Sequence, residues 1–158
     1  MADEAQTIVG AGVETTAFAL TVATFHIANT PHIYERLHTE LASAIRSDAA
    51  TIPELTELEP LPYLRACILE SIRLSYGVTS RLRRVFDRPL EYGDWTIPPR
   101  TIVSASIVDV THDETIFPDS YAFVPERWLG DPRAPSGKPL EHYLVTFSKG
   151  SRICLGIK

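Results

Sequence analysis

The segment Phe147-Ser148-Lys149-Gly150-Ser151-Arg152-Ile153-Cys154-Leu155-Gly156 sets one cysteine between an arginine and a glycine, in a stretch with little regular pattern. A phosphate-cradling loop does not fit it. That motif has the form G-x-x-x-x-G-K-[ST], whereas five residues separate Gly150 from Gly156 and Lys158 stands one place too far. Zinc fits poorly too, because no second Cys or His lies at ligand spacing from Cys154. What is left is a lone thiolate in a loop that glycines allow to bend, flanked by the cations Lys149 and Arg152. Such a loop suits a metal held by a single protein sulfur, and haem iron with an axial cysteine is one form of that chemistry.

Three further groups deserve the same weighing. Glu70 and Arg73 are three residues apart and share one helix face. Such a pair is ordinarily a surface salt bridge worth under about 1 kcal/mol. Its neighbours Leu69, Ile72 and Leu74 are apolar, which points to partial burial, and a buried pair needs a third partner. Phe123-Val124-Pro125-Glu126-Arg127-Trp128, otherwise an aromatic-rich turn, offers Arg127 for that place. Ala11-Gly12-Val13-Glu14-Thr15-Thr16 puts a glycine inside an apolar helical stretch, at a cost of up to about 1 kcal/mol relative to alanine. Close approach of a flat ligand would account for it, with Glu14 and Thr15 placed to handle protons. A small-residue packing face with one paired acid accounts for it equally. Gly10-Ala11-Gly12 is not a dinucleotide loop, since Thr15 replaces the third glycine and no strand precedes it.

The elements that must position these groups are unevenly distributed. All twelve prolines lie after residue 30, so a smooth apolar beginning meets a broken, loop-rich remainder. Ile8 to Ala28 carries one acid and approaches membrane-spanning length, yet holds Thr15, Thr16, Thr21, Thr24 and His26 and lacks flanking cations. The preceding Met1-Ala2-Asp3-Glu4 is acidic, unlike a secretory signal. This favours a central helix of a large soluble protein over a span. Thr30-Pro31 signals a helix start with a capping oxygen, and Ile33, Leu37, Leu41 and Ile45 share one face of a helix expected over Pro31 to Asp48. A turn around Glu54 to Leu58 precedes a helix over Pro62 to Ser75, with Leu64, Ile68, Leu69 and Ile72 inward and Gly77 as its stop. Strands are expected at Ser80 to Phe86 and in a hairpin of Leu90 to Tyr92 with Trp95 to Ile97 across Gly93-Asp94, while Thr101 to Val108 is an apolar run in which a strand passes to a helix or the reverse. From residue 112 the chain reads as irregular. A 44% hydrophobic content with 22% charged residues excludes disorder, two cysteines exclude a disulfide framework and fit a reducing compartment, and a net charge of −5 argues against a nucleic-acid partner.

Taken in order, the four groups resemble the C-terminal part of the cytochrome P450 family. The signature Phe-x-x-Gly-x-Arg-x-Cys-x-Gly is matched in full by Phe147, Gly150, Arg152, Cys154 and Gly156. Glu-x-x-Arg is matched by Glu70 and Arg73, the downstream Pro-Glu-Arg by Pro125, Glu126 and Arg127, and the oxygen-groove motif by Ala11, Gly12, Glu14 and Thr15. The Trp128 and Ser148-Lys149-Gly150 variants look like fungal, membrane-associated members. The resemblance implies a mainly α (α+β) architecture over residues 1–158: a partial cytochrome P450 fold with a central helix, two further helices, a small β-sheet, a meander and a cysteine haem loop, incomplete at both ends.

The same resemblance implies roles. Cys154 would be the metal ligand, holding the iron of heme b through its thiolate. Arg152 and Arg84 would bind the haem propionates, and Phe147 would pack beside the thiolate, with Gly150 and Gly156 shaping the loop. Gly12 would leave room for dioxygen, and the catalytic pair Glu14 and Thr15 would help to deliver protons. Glu70, Arg73 and Arg127 would form a structural network, and Val78 to Leu82 would line part of a substrate cavity. Arg83 and Arg100 stand where related chains often carry proline and glycine. The implied activity is a haem-thiolate monooxygenase that inserts one oxygen atom of O2 into a lipophilic small-molecule substrate. Electrons would come from NADPH through NADPH-cytochrome P450 reductase, on the cytosolic face of the endoplasmic reticulum membrane, although the chain shows no anchor of its own. Lys149 and Lys158 are candidates for the reductase-docking surface, or simply solvated lysines. The competing expectations are a truncated fragment without independent activity, and a haem-dependent isomerase or dehydratase on the same scaffold.

Overall fold

The computed structural model describes residues 2–45 and 53–157. It opens on a 28-residue helix, α1 (Ala2–Asn29), with Asp3 and Glu4 in the first turn where they complement the helix dipole. Three of its threonines satisfy their hydroxyls locally: those of Thr7, Thr15 and Thr21 donate to the carbonyls four residues earlier, at 2.7–2.8 Å. The helix is long and apolar enough to cross a membrane by length and composition. None of its residues is buried. Only its later part packs, with Val22 and Ile27 against the core and His26 stacked on Phe123 at 4.7 Å between ring centroids. The enclosing environment that a central helix requires is therefore not supplied by the described residues.

Thr30 does begin α2 (Pro31–Ala44), but its side chain makes no cap bond. The reason is local. Pro31 has no N–H to offer, and the N–H groups of Ile33 and Tyr34 already donate to the Thr30 main-chain carbonyl. Ile33 and Leu37 are buried, as their spacing requires, and Ile45 leaves the helix in an extended conformation. The expected end at Asp48 lies outside the described residues. A one-turn helix, α3 (Leu55–Leu58), carries a reciprocal capping box between Glu54 and Glu57.

The next helix, α4 (Pro62–Ser75), occupies the span its sequence indicates. It ends in two consecutive left-handed residues, Tyr76 at φ 59° and Gly77 at φ 64°, so the stop is shared rather than carried by the glycine alone. Its inward face differs from the expected one. Tyr63, Ala66, Cys67, Glu70, Ser71, Arg73 and Leu74 are buried, whereas Ile68 is 48% exposed. The helix is rotated to bury its charged pair rather than to maximise aliphatic burial.

Beyond α4 come two antiparallel ribbons instead of one sheet. β1 (Leu82–Val85) pairs with β4 (Ile102–Ala105), and β2 (Leu90–Tyr92) with β3 (Trp95–Ile97) across Gly93-Asp94. Arg100 takes φ 64°, the left-handed geometry that favours the glycine expected there, while its N–H donates to the Phe86 carbonyl at 2.7 Å. After α5 (Ile107–Thr111) the chain forms short 3₁₀ turns and loops, with one isolated antiparallel bridge between Arg133 and Pro139. Two apolar clusters hold the whole: Ile33, Leu37, Tyr63, Cys67, Leu74 and Phe123 between the helices, and Ala66, Phe117, Trp128 and Leu140 under the irregular segment.

Candidate functional site

Glu70 and Arg73 are fully buried, and every polar atom they carry is engaged. Arg73 donates through Nε and Nη2 to the two carboxylate oxygens of Glu70 at 2.9 and 2.8 Å. Its remaining N–H groups reach the main-chain carbonyls of Thr111, Ser120 and Ala122 at 2.7–3.1 Å. All five guanidinium donors are thus satisfied. Glu70 accepts in addition from the Val124 N–H at 3.0 Å, from Arg127 Nε at 3.0 Å and from the Trp128 indole at 2.8 Å. The structure therefore brings Glu70, Arg73 and Arg127 together. Burial alone would push the Glu70 carboxyl up, but the Arg73 hydrogen bonds and charge, with Val124 and Arg127, hold it below its ordinary value.

Several partners in this arrangement were not apparent from the sequence. Trp128 is one, although a buried indole N–H must find an acceptor and a carboxylate is the natural choice. Glu40 is another. Projecting from α2, it accepts the N–H groups of Tyr63 and Leu64 at 2.8 Å each, capping the start of α4, whose own N-cap Leu61 has no side-chain acceptor. Glu126 accepts from the Tyr63 hydroxyl at 2.8 Å and from Arg36 at 3.0 Å, while the Arg36 guanidinium lies 4.2 Å from the centre of the Tyr63 ring. Burial, reinforced by Glu126 and Glu40, pushes the Cys67 thiol up to about 12. His112 joins Tyr76, at 2.7 Å, to Ser120, at 3.1 Å, and burial lowers its pKa.

Cys154 lies in a compact, exposed loop and is a free thiol. Its N–H donates to the Phe147 carbonyl at 2.9 Å, closing a turn that passes through Ser148 at φ 61° and Gly150 at φ 76°. Phe147 is half-buried at the loop's foot, and Lys149 bonds to the His142 carbonyl. Lys158 falls outside the described residues. A side chain at Gly156 would come within 3.8 Å of the Cys154 sulfur, so the glycine keeps the thiol open on that side. Arg152 is exposed and makes no ion pair within the described residues. The side chain of Arg84, half-exposed on β1, donates to the Arg83 carbonyl at 2.9 Å. Among the described residues no group of three or more His, Cys, Asp or Glu side chains could hold a bare metal ion. One exposed sulfur, with the exposed Arg152 two residues before it, suits a metal whose other ligands come from a macrocycle bearing carboxylates. The donor set fits haem.

The residues expected on the oxygen side stand apart from this loop. Gly12, Glu14 and Thr15 are exposed on the uncovered part of α1, with no hydrogen bond or ion pair to residues 147–157. A side chain on Gly12 would meet nothing within 4 Å. Val78 to Arg81 are exposed and Leu82 is half-buried, at the exit from α4.

Comparison with known proteins bears directly on this arrangement. The family model described as cytochrome P450 matches residues 1–158. Cytochrome P450 monooxygenase orf4 of Eupenicillium brefeldianum is 49% identical over 158 residues, 98% of this chain and 31% of its own length. Cytochrome P450 monooxygenase sdnE of Sordaria araneosa is 47% identical over 159 residues, 99% of this chain and 31% of its own. N-acetyltryptophan 6-hydroxylase ivoC of Emericella nidulans is 40% identical over 155 residues, 98% of this chain and 30% of its own. The chain thus spans about three-tenths of the length of these curated relatives. With its single-thiolate loop and a family model matched from end to end, the chain belongs to the cytochrome P450 family, whose cofactor is haem.

Proposed function

We propose that Cys154 is the proximal haem ligand of a haem-thiolate monooxygenase acting on a lipophilic small molecule with O2 as co-substrate. This activity is that of a polypeptide of the relatives' length, to which the chain contributes the cysteine side. The observation that carries the reading is the exposed, free Cys154, whose N–H closes a loop on the Phe147 carbonyl. Haem, when bound, supplies oxygen activation. The chain's own residues do the rest: Cys154 offers one sulfur, Arg152 and Arg84 neutralise carboxylates at the rim, and Phe147 keeps water from the thiolate's flank. Along α1, Gly12 leaves the helix surface open to a small molecule, and Glu14 and Thr15 present a carboxylate and a hydroxyl for proton delivery. The reading extends to NADPH as electron source through its reductase and to the cytosolic face of the endoplasmic reticulum.

Monooxygenase-named fungal relatives support it, and the hydroxylase name of one of them is consistent with oxygen insertion into an organic substrate. The test is the absorbance of the haem-loaded protein, reduced and exposed to carbon monoxide. A thiolate-type band that disappears in Cys154→Ser is expected. A band that survives the substitution, or none in the unaltered protein, would overturn the assignment.

A further inference from the structure

Among the described glycines, Gly77 differs from the rest. A Cβ placed there would lie 3.1 Å from Thr146 Cγ2 and 3.2 Å from the Thr146 carbonyl oxygen, while no other glycine would meet an atom closer than 3.8 Å. The first contact is a methyl group. The second is backbone, and cannot rotate away. Gly77 also holds φ 64°, immediately after the left-handed Tyr76 that ends α4. From the other side, the Thr146 hydroxyl donates to the Ile72 carbonyl in the last turn of α4 at 3.1 Å. Thr146 is the residue before Phe147, whose carbonyl accepts the Cys154 N–H. The end of α4 and the foot of the cysteine loop are therefore in direct van der Waals and hydrogen-bonded contact.

We propose that Gly77 and Thr146 are positioning residues for Cys154, their contact fixing how far the cysteine loop stands from the end of α4. This rests on the reading of Cys154 as the haem ligand. The loop is braced as a unit: Ser148 N–H bonds to the Val145 carbonyl at 2.7 Å, Ile153 N–H to Gly150 at 3.1 Å, and Lys149 to the His142 carbonyl. A push on the Thr146 peptide is passed through Phe147 to Cys154 instead of being absorbed. Gly77 also begins the run into β1 that carries Arg84, so one residue relates the thiolate to a proposed propionate partner. The Ile72 carbonyl keeps a second donor, the Ser75 hydroxyl at 3.0 Å, so losing the Thr146 hydroxyl leaves no bare acceptor. Its loss alters position more than stability.

The experiment measures, in the haem-loaded protein, the fraction of the reduced carbon monoxide complex with a thiolate-type band and the rate of haem transfer to an excess of apomyoglobin. Gly77→Ala lowers the fraction and speeds haem loss by on the order of tenfold, as for residues that orient a metal ligand. Adding Thr146→Ser, which deletes the nearer methyl, recovers part of both. That recovery distinguishes the contact from backbone strain at φ 64°, which serine at 146 cannot relieve. Thr146→Val lowers the thiolate fraction by less, at an unchanged melting temperature. If Gly77→Ala does not fold, Thr146→Val decides. Wild-type thiolate fractions and haem-loss rates in every variant that binds haem, or strictly additive effects in the double variant, would overturn the proposal. Absence of a thiolate-type band in the unaltered protein refutes instead the ligand assignment of Cys154, and the two failures are separable.

Discussion

Arg73→Lys keeps the charge and nearly the length of the side chain, yet it should be among the most damaging substitutions in the protein. Arg73 uses five N–H groups on five oxygens, two from Glu70 and three from the carbonyls of Thr111, Ser120 and Ala122. An ammonium offers three donors from a single nitrogen, so at least two of those oxygens lose their partner. The carboxylate still has Val124, Arg127 and Trp128. Charge attraction keeps one or two of the ammonium N–H groups on that buried carboxylate, so one or two of the three carbonyls go bare, and each bare buried acceptor costs about 1–3 kcal/mol. The total is about 1–6 kcal/mol, a large share of the roughly 5–15 kcal/mol that holds a domain together. Urea titration followed by circular dichroism reads it directly as a lowered midpoint at constant slope. A loss below about 1 kcal/mol would refute the claim that all five donors matter. The companion variant Glu70→Leu/Arg73→Met sharpens the test. Replacing a buried ion pair by apolar residues is often neutral, but here the double variant should stay unstable, because three carbonyls, the Val124 N–H and the Trp128 indole would be stranded.

Three other perturbations follow from the same geometry. Glu40→Ala should cost about 1–2 kcal/mol, as for a lost helix cap, seen as a lower melting temperature with loss concentrated at the start of α4 in hydrogen exchange. Acidification should destabilise in two stages. Burial lowers the pKa values of His26 and His112, so the folded state binds fewer protons than the unfolded one, and stability falls as pH drops below about 6.5. Glu70, also lowered, contributes stability above about 4.5 that disappears as pH falls through its depressed folded value. Unfolding midpoints taken from pH 8 to pH 3 test both, and the upper stage should shrink in His26→Phe. Finally, a thiol reagent applied to the haem-free protein at pH 8 should modify Cys154 and spare Cys67, which is 2% exposed and raised to about 12. Equal labelling before unfolding would contradict the packing around α4.

Much of this arrangement was legible in the sequence, but unevenly. Pro62 and Gly77 mark the two ends of α4, because a helix start signal and a left-handed stop act locally. The hairpin over Leu90 to Ile97 was readable for the same reason. Ile68 was not: its exposure is decided by Glu70 and Arg73, whose burial depends on backbone atoms 38 to 49 residues away. Glu40 was equally hidden, since its acceptor role for Tyr63 and Leu64 depends on how two helices dock. Thr30 shows the opposite error, a good capping residue whose service was already performed by its own carbonyl. In the cysteine loop, the spacing of Phe147, Gly150, Arg152, Cys154 and Gly156 marks the segment, while its footing on Ile72 and Gly77 depends on the path of α4.

The meander after α5 behaves as a strand without a sheet. A segment with neither a ladder nor a helix normally turns its main-chain polar groups to water, yet here those of Ser120, Ala122 and Val124, with the carbonyl of Thr111 at the end of α5, end on two side chains of α4. What is recognised is the peptide group, not the residue that bears it. At Ala122, whose side chain is exposed, any residue with ordinary backbone geometry presents the same carbonyl. At Val124, proline would remove the N–H that Glu70 accepts. The surface of this region can therefore drift widely in sequence while its course stays fixed, because the information that fixes it is written on α4.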